Sequence, residues 1–263
     1  MHKPLVSVVM MTYGHEKYII QAVESVLMQK SDFDIELIIA NDCSPDDSDA
    51  KIKSIIAQHS KGKVISYTMH KQNKGMMSNF IWTLEQAKGK YIAICEGDDY
   101  WTDPYKLQKQ VDFLEGNEEY GLYCSNVQIV DKDNVVLKER AIKEDYTDID
   151  MKILLQPDNP IVTMSVLFIN CLSQNYLEDY AQKYPVGDLP LWVYVLNKTN
   201  KKAFFDKNRM GAYRHHSGGV FSSKGSIKNL KTIIKVHQLF QIDFKEYNET
   251  SYNTLKLLYT KLI

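Results

Sequence analysis

The strongest constraint on the fold is a rhythm in the first hundred residues. Four short apolar runs alternate with amphipathic patterns. Residues 5–11 (LVSVVMM), 35–40 (IELIIA), 64–69 (VISYTM) and 91–95 (YIAIC) have the length and β-branched content of strands, and the first is apolar enough for burial on both faces. Between the first two runs, Ile19, Ala22, Val23, Val26 and Leu27 recur at three- and four-residue spacing, the mark of a helix with one apolar face. A second helix is expected over about 49–59, after the Pro45-Asp46-Asp47-Ser48 break. A third is carried by Phe80, Ile81, Leu84 and Ala87, with Gly89 as its C-terminal cap. Strands alternating with helices imply an α/β fold with a mainly parallel sheet, Rossmann-like and flanked by helices.

Such sheets bind ligands beyond the carboxyl ends of their strands. Those ends are polar here. They carry Thr12-Tyr13-Gly14-His15-Glu16, Asn41-Asp42-Cys43-Ser44 and Glu96-Gly97-Asp98-Asp99. Crowded carboxylates repel one another and lose hydration, so they need a cation, a proton or a basic partner. Hard oxygen ligands suit Mg2+ or Mn2+, and such ions take their remaining ligands from phosphates. Gly97 lets the backbone turn between the acids and approach a ligand. Asp103, ahead of Pro104, reads instead as a helix N-cap, and His15 as an ordinary loop residue.

The second half changes pattern. A helix with Leu107, Val111 and Leu114 on one face runs to about residue 115. Residues 122–130 and 135–138 read as a hairpin, and 162–169 as a further strand. From residue 226 the chain reads as helical, with Lys224, Lys228, Lys231 and Lys235 on one face and Ile227, Leu230, Ile233, Ile234 and Phe240 on the other. No Pro/Gly/Ser linker divides the chain. The expectation is one domain over residues 1–222, made of a ligand-binding half (1–115) and an acceptor-side half (116–222), with a helical C-terminal tail over 223–263.

Composition excludes several classes. The 32 Lys and Arg residues nearly cancel the 33 Asp and Glu, so no basic field points to nucleic acid. The four cysteines, at 43, 95, 124 and 171, have neither zinc-site nor disulfide-framework spacing and read as reduced cytoplasmic thiols. Residues 5–11 are too few to span a membrane and lack a signal-peptide cleavage site.

Three segments, PLVSVVMMTYGHEKYIIQAVESVLMQ, FDIELIIANDCSPDDS and GKYIAICEGDDYWTDPYKLQKQVDFLE, occur in order. Together they resemble the nucleotide-sugar domain of glycosyltransferase family 2, which has the GT-A fold. The resemblance is strong over about 4–115 and weaker to about 222. It implies that Thr12 and Tyr13, with Glu16 nearby, cradle the base and ribose, that Asp42 reads a uracil-type base edge, and that the Asn73-Lys74-Gly75 turn borders the donor. Glu96-Gly97-Asp98 matches the family's Asp-x-Asp motif. Asp98 is thereby expected on the ion that bridges the donor diphosphate, with Asp99 beside it and Glu96 facing the donor sugar or ribose. Asp188, in PVGDLPLWVYVLNK, resembles the acceptor-side general base, and its position before an apolar run also suits an N-cap. In MGAYRHHSGGVFSS, which resembles the loop closing over the diphosphate, Arg214 is expected on phosphate and His216 on metal or phosphate. The sequence departs from the family where Glu96 replaces an Asp, Asn41 replaces the first of an Asp pair and Gly14 stands where Asn is frequent. The arginine common after the Asn-x-Gly turn is also absent.

The implied activity is inverting, metal-dependent transfer from a nucleotide-diphospho-sugar, of UDP type, to a saccharide or lipid-linked saccharide hydroxyl in surface polysaccharide synthesis. Its setting is the cytoplasm, at the inner face of the membrane. The lysine stripe of the tail is ordinarily a solvated face and also allows weak peripheral association with an anionic membrane. Two other readings fit parts of the pattern. A sugar nucleotidyltransferase calls for a Gly-rich basic phosphate loop, which residues 12–20 do not provide. A non-catalytic GT-A-like domain binding a saccharide or partner has no need of the acids at 98, 99 and 188.

Overall fold

The computed structural model describes residues 3–142, 146–219 and 226–261. β1 (Val6–Thr12) is buried along almost its whole length. Alternate side chains point to opposite faces of a strand, and here each face finds its own core. Val6, Val8 and Met10 pack with Ile19, Val23, Val26 and Ile52. Val9 packs on the other side with Phe80, Ile81 and Leu84. The helices that supply these residues are α1 (Ile19–Leu27), α2 (Ser48–Gln58) and α3 (Met76–Glu85). β2 (Ile35–Asn41), β3 (Ile65–Met69) and β4 (Tyr91–Ile94) alternate with them as expected.

β1 pairs in parallel with β2 and with β4, and β2 with β3. Thr12 stands beside Asn41 and Val9 beside Ile94. The register therefore lines up the ends of β1, β2 and β4, and the polar loops leave the sheet side by side. Gly89 is not a helix cap, since α3 ends at Glu85. A Cβ at Gly89 would lie 2.6 Å from the Ser7 amide nitrogen, so the residue is small because two backbones pass there.

The second half extends the same sheet through β5 (Tyr100–Trp101), α4 (Lys106–Gly116), β6 (Tyr120–Val130), β7 (Val136–Lys138), β8 (Asp148–Ile149), α5 (Met151–Leu154), β9 (Leu167–Ile169), α6 (Gln174–Lys183), α7 (Leu189–Thr199) and β10 (Lys202–Arg214). The strand order is β3-β2-β1-β4-β9-β6-β10-β5, with β7 on β6 and β8 on β10. β9 runs antiparallel to both β4 and β6, and β10 runs parallel to β6. The long ladders are parallel and the short ones antiparallel, so the sheet is mixed and mainly parallel.

Two further expectations change, and one strand was not anticipated. The run 162–169 is a strand only over Leu167–Ile169, because Thr163–Ser165 forms a 3-10 turn. Asp103 does not cap α4. The helix starts at Lys106 with Tyr105 as N-cap, and the Asp103 carboxylate accepts from the Tyr105 amide and pairs with Lys109. β10, the longest strand of the second half, lacked an apolar signature because its middle, Lys207-Asn208-Arg209, is exposed.

The tail forms α8 (Ser226–Asp243) and α9 (Asn248–Thr260). α8 joins the main core through Val236, Phe240 and Phe244, and meets α9 through Ile234, Leu255 and Leu258. Lys228, Lys231 and Lys235 are exposed as expected. Ile227, assigned to the packed face, is 63% exposed. Lys224 and the 222/223 boundary lie outside the described residues. Among the described residues no helix is long and apolar enough to cross a membrane.

Candidate active site

The acidic loop after β4 is held from two sides. The Gly97 amide donates to the Met11 carbonyl (3.0 Å), which ties the loop to the end of β1. From β10, the Arg214 amide donates to Asp99 Oδ1 (2.7 Å) and its Nε donates to the Asp98 carbonyl (2.8 Å). Arg214, expected at the phosphates, is 3% exposed. The rest of its guanidinium donates to Gln21 Oε1, Asn134 Oδ1 and the Asp131 carbonyl. Its Cζ lies 4.5 Å from the centre of the Tyr18 ring and 5.3 Å from that of Tyr100. Arg214 thus positions the acidic loop and neutralises part of its charge from beneath.

This frame separates the three acids. Asp98 Oδ2 lies 3.0 Å from His216 Nε2 and 3.6 Å from His15 Nε2. Burial raises the Asp98 carboxyl, but the two histidines outweigh it and leave it below the ordinary range. Asp99 is raised well above that range by burial and by the charges of Asp98 and Glu96. Glu96 is pushed up to about 8 by burial and by Asp98 and Asp188. Asp98 is thus biased toward its ionised form and its two neighbours toward their protonated forms, the pattern forced on carboxylates that share a site.

Asp99 was expected beside the ion and is not grouped with it. It is buried under the loop, with one oxygen on the Arg214 amide and the other without a hydrogen-bond partner. Among the described residues, the set whose ligand atoms all lie within 4.8 Å of one another is His15, Asp98 and His216. A carboxylate and two imidazoles fit a divalent transition ion. His15 and Tyr18 were missed, the first because a lone histidine in a loop carries no periodic signal. Tyr18 stands three residues before Gln21, one turn of helix, and both face Arg214. Its ring also lies 5.1 Å from that of His216.

The wall on the β1 side is tight. A Cβ at Gly97 would lie 2.8 Å from Thr12 Oγ1 and 3.0 Å from His15 Nδ1. Gly97→Ala must push both side chains away. Overpacking of this kind costs about 1–3 kcal/mol, and Mn2+ affinity is expected to fall about tenfold as the ligand geometry loosens. Thermal unfolding and Mn2+ titration by electron paramagnetic resonance check both parts.

The neighbouring loops are preformed. Asp42 accepts from the Lys74 amide (2.7 Å) and the Gly75 amide (2.9 Å), while Asn73 Nδ2 donates to the Asp42 carbonyl. Asp42 is 3% exposed, so its carboxylate holds the Asn73–Gly75 turn, where Gly75 has φ +84°. The acid expected to read a base edge thus also braces this turn. Tyr13, just after β1, is half exposed, and Thr12 is buried. Glu16, expected near the ribose, is drawn aside: its amide donates to Asp46 Oδ2, and its Oε2 accepts from the Asp47 amide.

Across from Glu96 stands Asp188. It does cap α7, accepting from the Leu189 amide at 2.7 Å, with Pro190 in the first turn. Its other oxygen accepts from Thr163 Oγ1 at 3.4 Å, and burial raises its carboxyl. α7 is anchored in the core by Leu191, Trp192 and Val195, which fixes the acid at its tip. The cap uses one oxygen, and the other is held only by the long Thr163 contact.

Residues 7–184 match the model of the family described as Glycosyl transferase family 2. The chain belongs to this family. It is 30% identical over 219 residues to an uncharacterized protein of Mycobacterium tuberculosis, covering 82% of this chain and 60% of that one. It is also 30% identical over 221 residues to the UDP-Glc:alpha-D-GlcNAc-diphosphoundecaprenol beta-1,3-glucosyltransferase WfaP of Escherichia coli, covering 84% of this chain and 81% of that protein. Among solved structures, the mannosyltransferase PcManGT from Pyrobaculum calidifontis, in complex with GDP-Man and Mn2+, superposes with a TM-score of 0.66. It is 12% identical, with 98% of this chain and 70% of that chain covered. The family-2 chain therefore has the GT-A fold expected from its motifs. It spans about 60% of the length of the mycobacterial relatives it matches.

Proposed function

We propose that this family-2 chain is an inverting glycosyltransferase that moves a sugar from a nucleotide-diphospho-sugar, UDP-linked, to a hydroxyl of a saccharide or lipid-linked saccharide in surface polysaccharide synthesis. The reading rests chiefly on one observation: a part-buried carboxylate at a helix tip, Asp188, lies near enough to the acidic loop after β4 for its charge to raise the Glu96 carboxyl. Asp188, made more basic by burial, accepts the proton of the acceptor hydroxyl as that oxygen attacks the anomeric carbon. The bond from that carbon to the diphosphate breaks on the opposite side, and the configuration inverts. Glu96, protonated at neutral pH, donates a hydrogen bond to the donor sugar or ribose. Thr12 and Tyr13 flank the nucleoside.

Asp98 and His216 would hold a divalent ion. When bound, the ion supplies positive charge against the diphosphate. UDP as the nucleotide is supported by the E. coli relative, whose name specifies UDP-Glc. A lipid-linked acceptor has the same support, and the cytoplasmic face of a membrane is the setting proposed for it. Calorimetric titration of UDP with and without Mn2+ tests the donor half of the proposal. Metal-dependent binding is expected. Binding indifferent to Mn2+ would remove the ion from the account.

A further inference from the structure

The loop pattern gives His15 no role, yet the structure aims its ring into the site. Its Nε2 stands 3.6 Å from Asp98 Oδ2, the same oxygen that lies 3.0 Å from His216 Nε2. A separation of 3.6 Å is too long for a hydrogen bond. The ring's other nitrogen is buried against Thr12 and Gly97 and has no hydrogen-bond partner. The His15 side chain is only 16% exposed, so neither solvent nor packing alone accounts for where the polar ring is held. Buried polar groups are almost always paired. A ring held beside a carboxylate, just beyond bonding range, with a second imidazole on the same oxygen, is the arrangement of a ligand set awaiting its ion. The rings of His15 and His216 meet edge to face with centroids 6.2 Å apart, which leaves their nitrogens converging on Asp98.

We propose that His15 is a direct ligand of the ion, so that the protein offers two imidazoles and one carboxylate and selects nitrogen-binding transition ions over Mg2+. This rests on the metal-assisted reading of the site and goes beyond it. An acidic motif alone is an oxygen site, which suits Mg2+ as well as Mn2+. Two imidazole ligands favour Co2+, Fe2+, Zn2+ and Mn2+, because Mg2+ prefers oxygen and keeps its waters. Asp99, turned to Arg214, does not supply the extra oxygen that would restore a Mg2+ site.

The test uses the full chain without nucleotide, with Co2+ and Mg2+ as probes. Wild type is expected to bind Co2+ with visible absorption bands, and Mg2+ is expected to compete poorly. His15→Gln should weaken Co2+ binding about tenfold or more, alter the bands and leave the response to Mg2+ unchanged. A Co2+ affinity and spectrum unchanged by the substitution would overturn the proposal, as would no Co2+ binding by wild type. A second measurement needs no variant. Pulsed electron paramagnetic resonance of Mn2+ on wild type labelled with 15N-histidine should count two bound imidazoles, and a count of one overturns the assignment. Neither readout depends on turnover. Two imidazoles without sugar transfer would leave this inference standing and remove the proposed function. Sugar transfer with one imidazole would do the reverse.

Discussion

Asp188→Asn is expected to bind UDP with Mn2+ as wild type does and to transfer sugar roughly a thousandfold more slowly, within the range ascribed to a positioned general base. The substitution separates the observed cap from the proposed base. Asparagine caps a helix about as well as aspartate, so its side-chain oxygen still accepts from the Leu189 amide and α7 keeps its start. Only the basicity is removed. Asp188→Ala also loses the cap and should lower stability by about 1 kcal/mol. If Asp188 were a cap and nothing more, the asparagine variant would retain its rate while the alanine variant lost stability. Single-turnover rates and thermal melts on the two variants distinguish these outcomes.

Asp98→Asn acts on the other substrate. Asp98 is the acid of its loop whose carboxyl is held below the ordinary range, and both imidazoles converge on its Oδ2. With the charge removed, two imidazoles and an amide remain, and Mn2+ affinity should fall by about a hundredfold, the upper end of losses seen even for outer partners of metal ligands. Metal-dependent UDP binding should disappear with it. The fold should survive, because the Asp98 carbonyl, rather than its side chain, receives Arg214 Nε. Loss of the Asp98 charge should also lower Glu96 from about 8 toward the ordinary carboxyl range, since that charge stands second only to burial in raising it. Carbon-13 spectra of labelled glutamate check the shift. A Glu96 titration unchanged in the variant would mean that burial and Asp188, without Asp98, hold its proton.

These two acids were legible in the sequence for different reasons. Asp98 sits where a buried strand ends, and a carboxylate cluster there has few purposes. Asp188 was marked only by its place before an apolar helix and by family resemblance. The first half of the fold was legible because each strand and helix carries its own period, as β1 does with Val8 and Val9 turned to different cores. β10 was not, because its exposed middle interrupts any apolar pattern, and so Arg214 could not be placed on the sheet. What sequence could not convey was engagement. Arg214 reads as a free cation and Asp42 as a free acid, but backbone groups remote in sequence occupy both. Asp99 and His15 exchanged expectations for the same reason. The fold turns the aspartate toward the Arg214 amide and the histidine toward the ion site, and no local spacing encodes either direction.

The most direct test of the central claim is proton NMR of the first product formed from an α-linked UDP-sugar and a lipid-diphospho-sugar acceptor in the presence of Mn2+. Donor sugars are screened under the same conditions. The account predicts a new β-linked sugar on the acceptor, with UDP released in equal amount. An α-linked product, or sugar released to water with none on the acceptor, would contradict it.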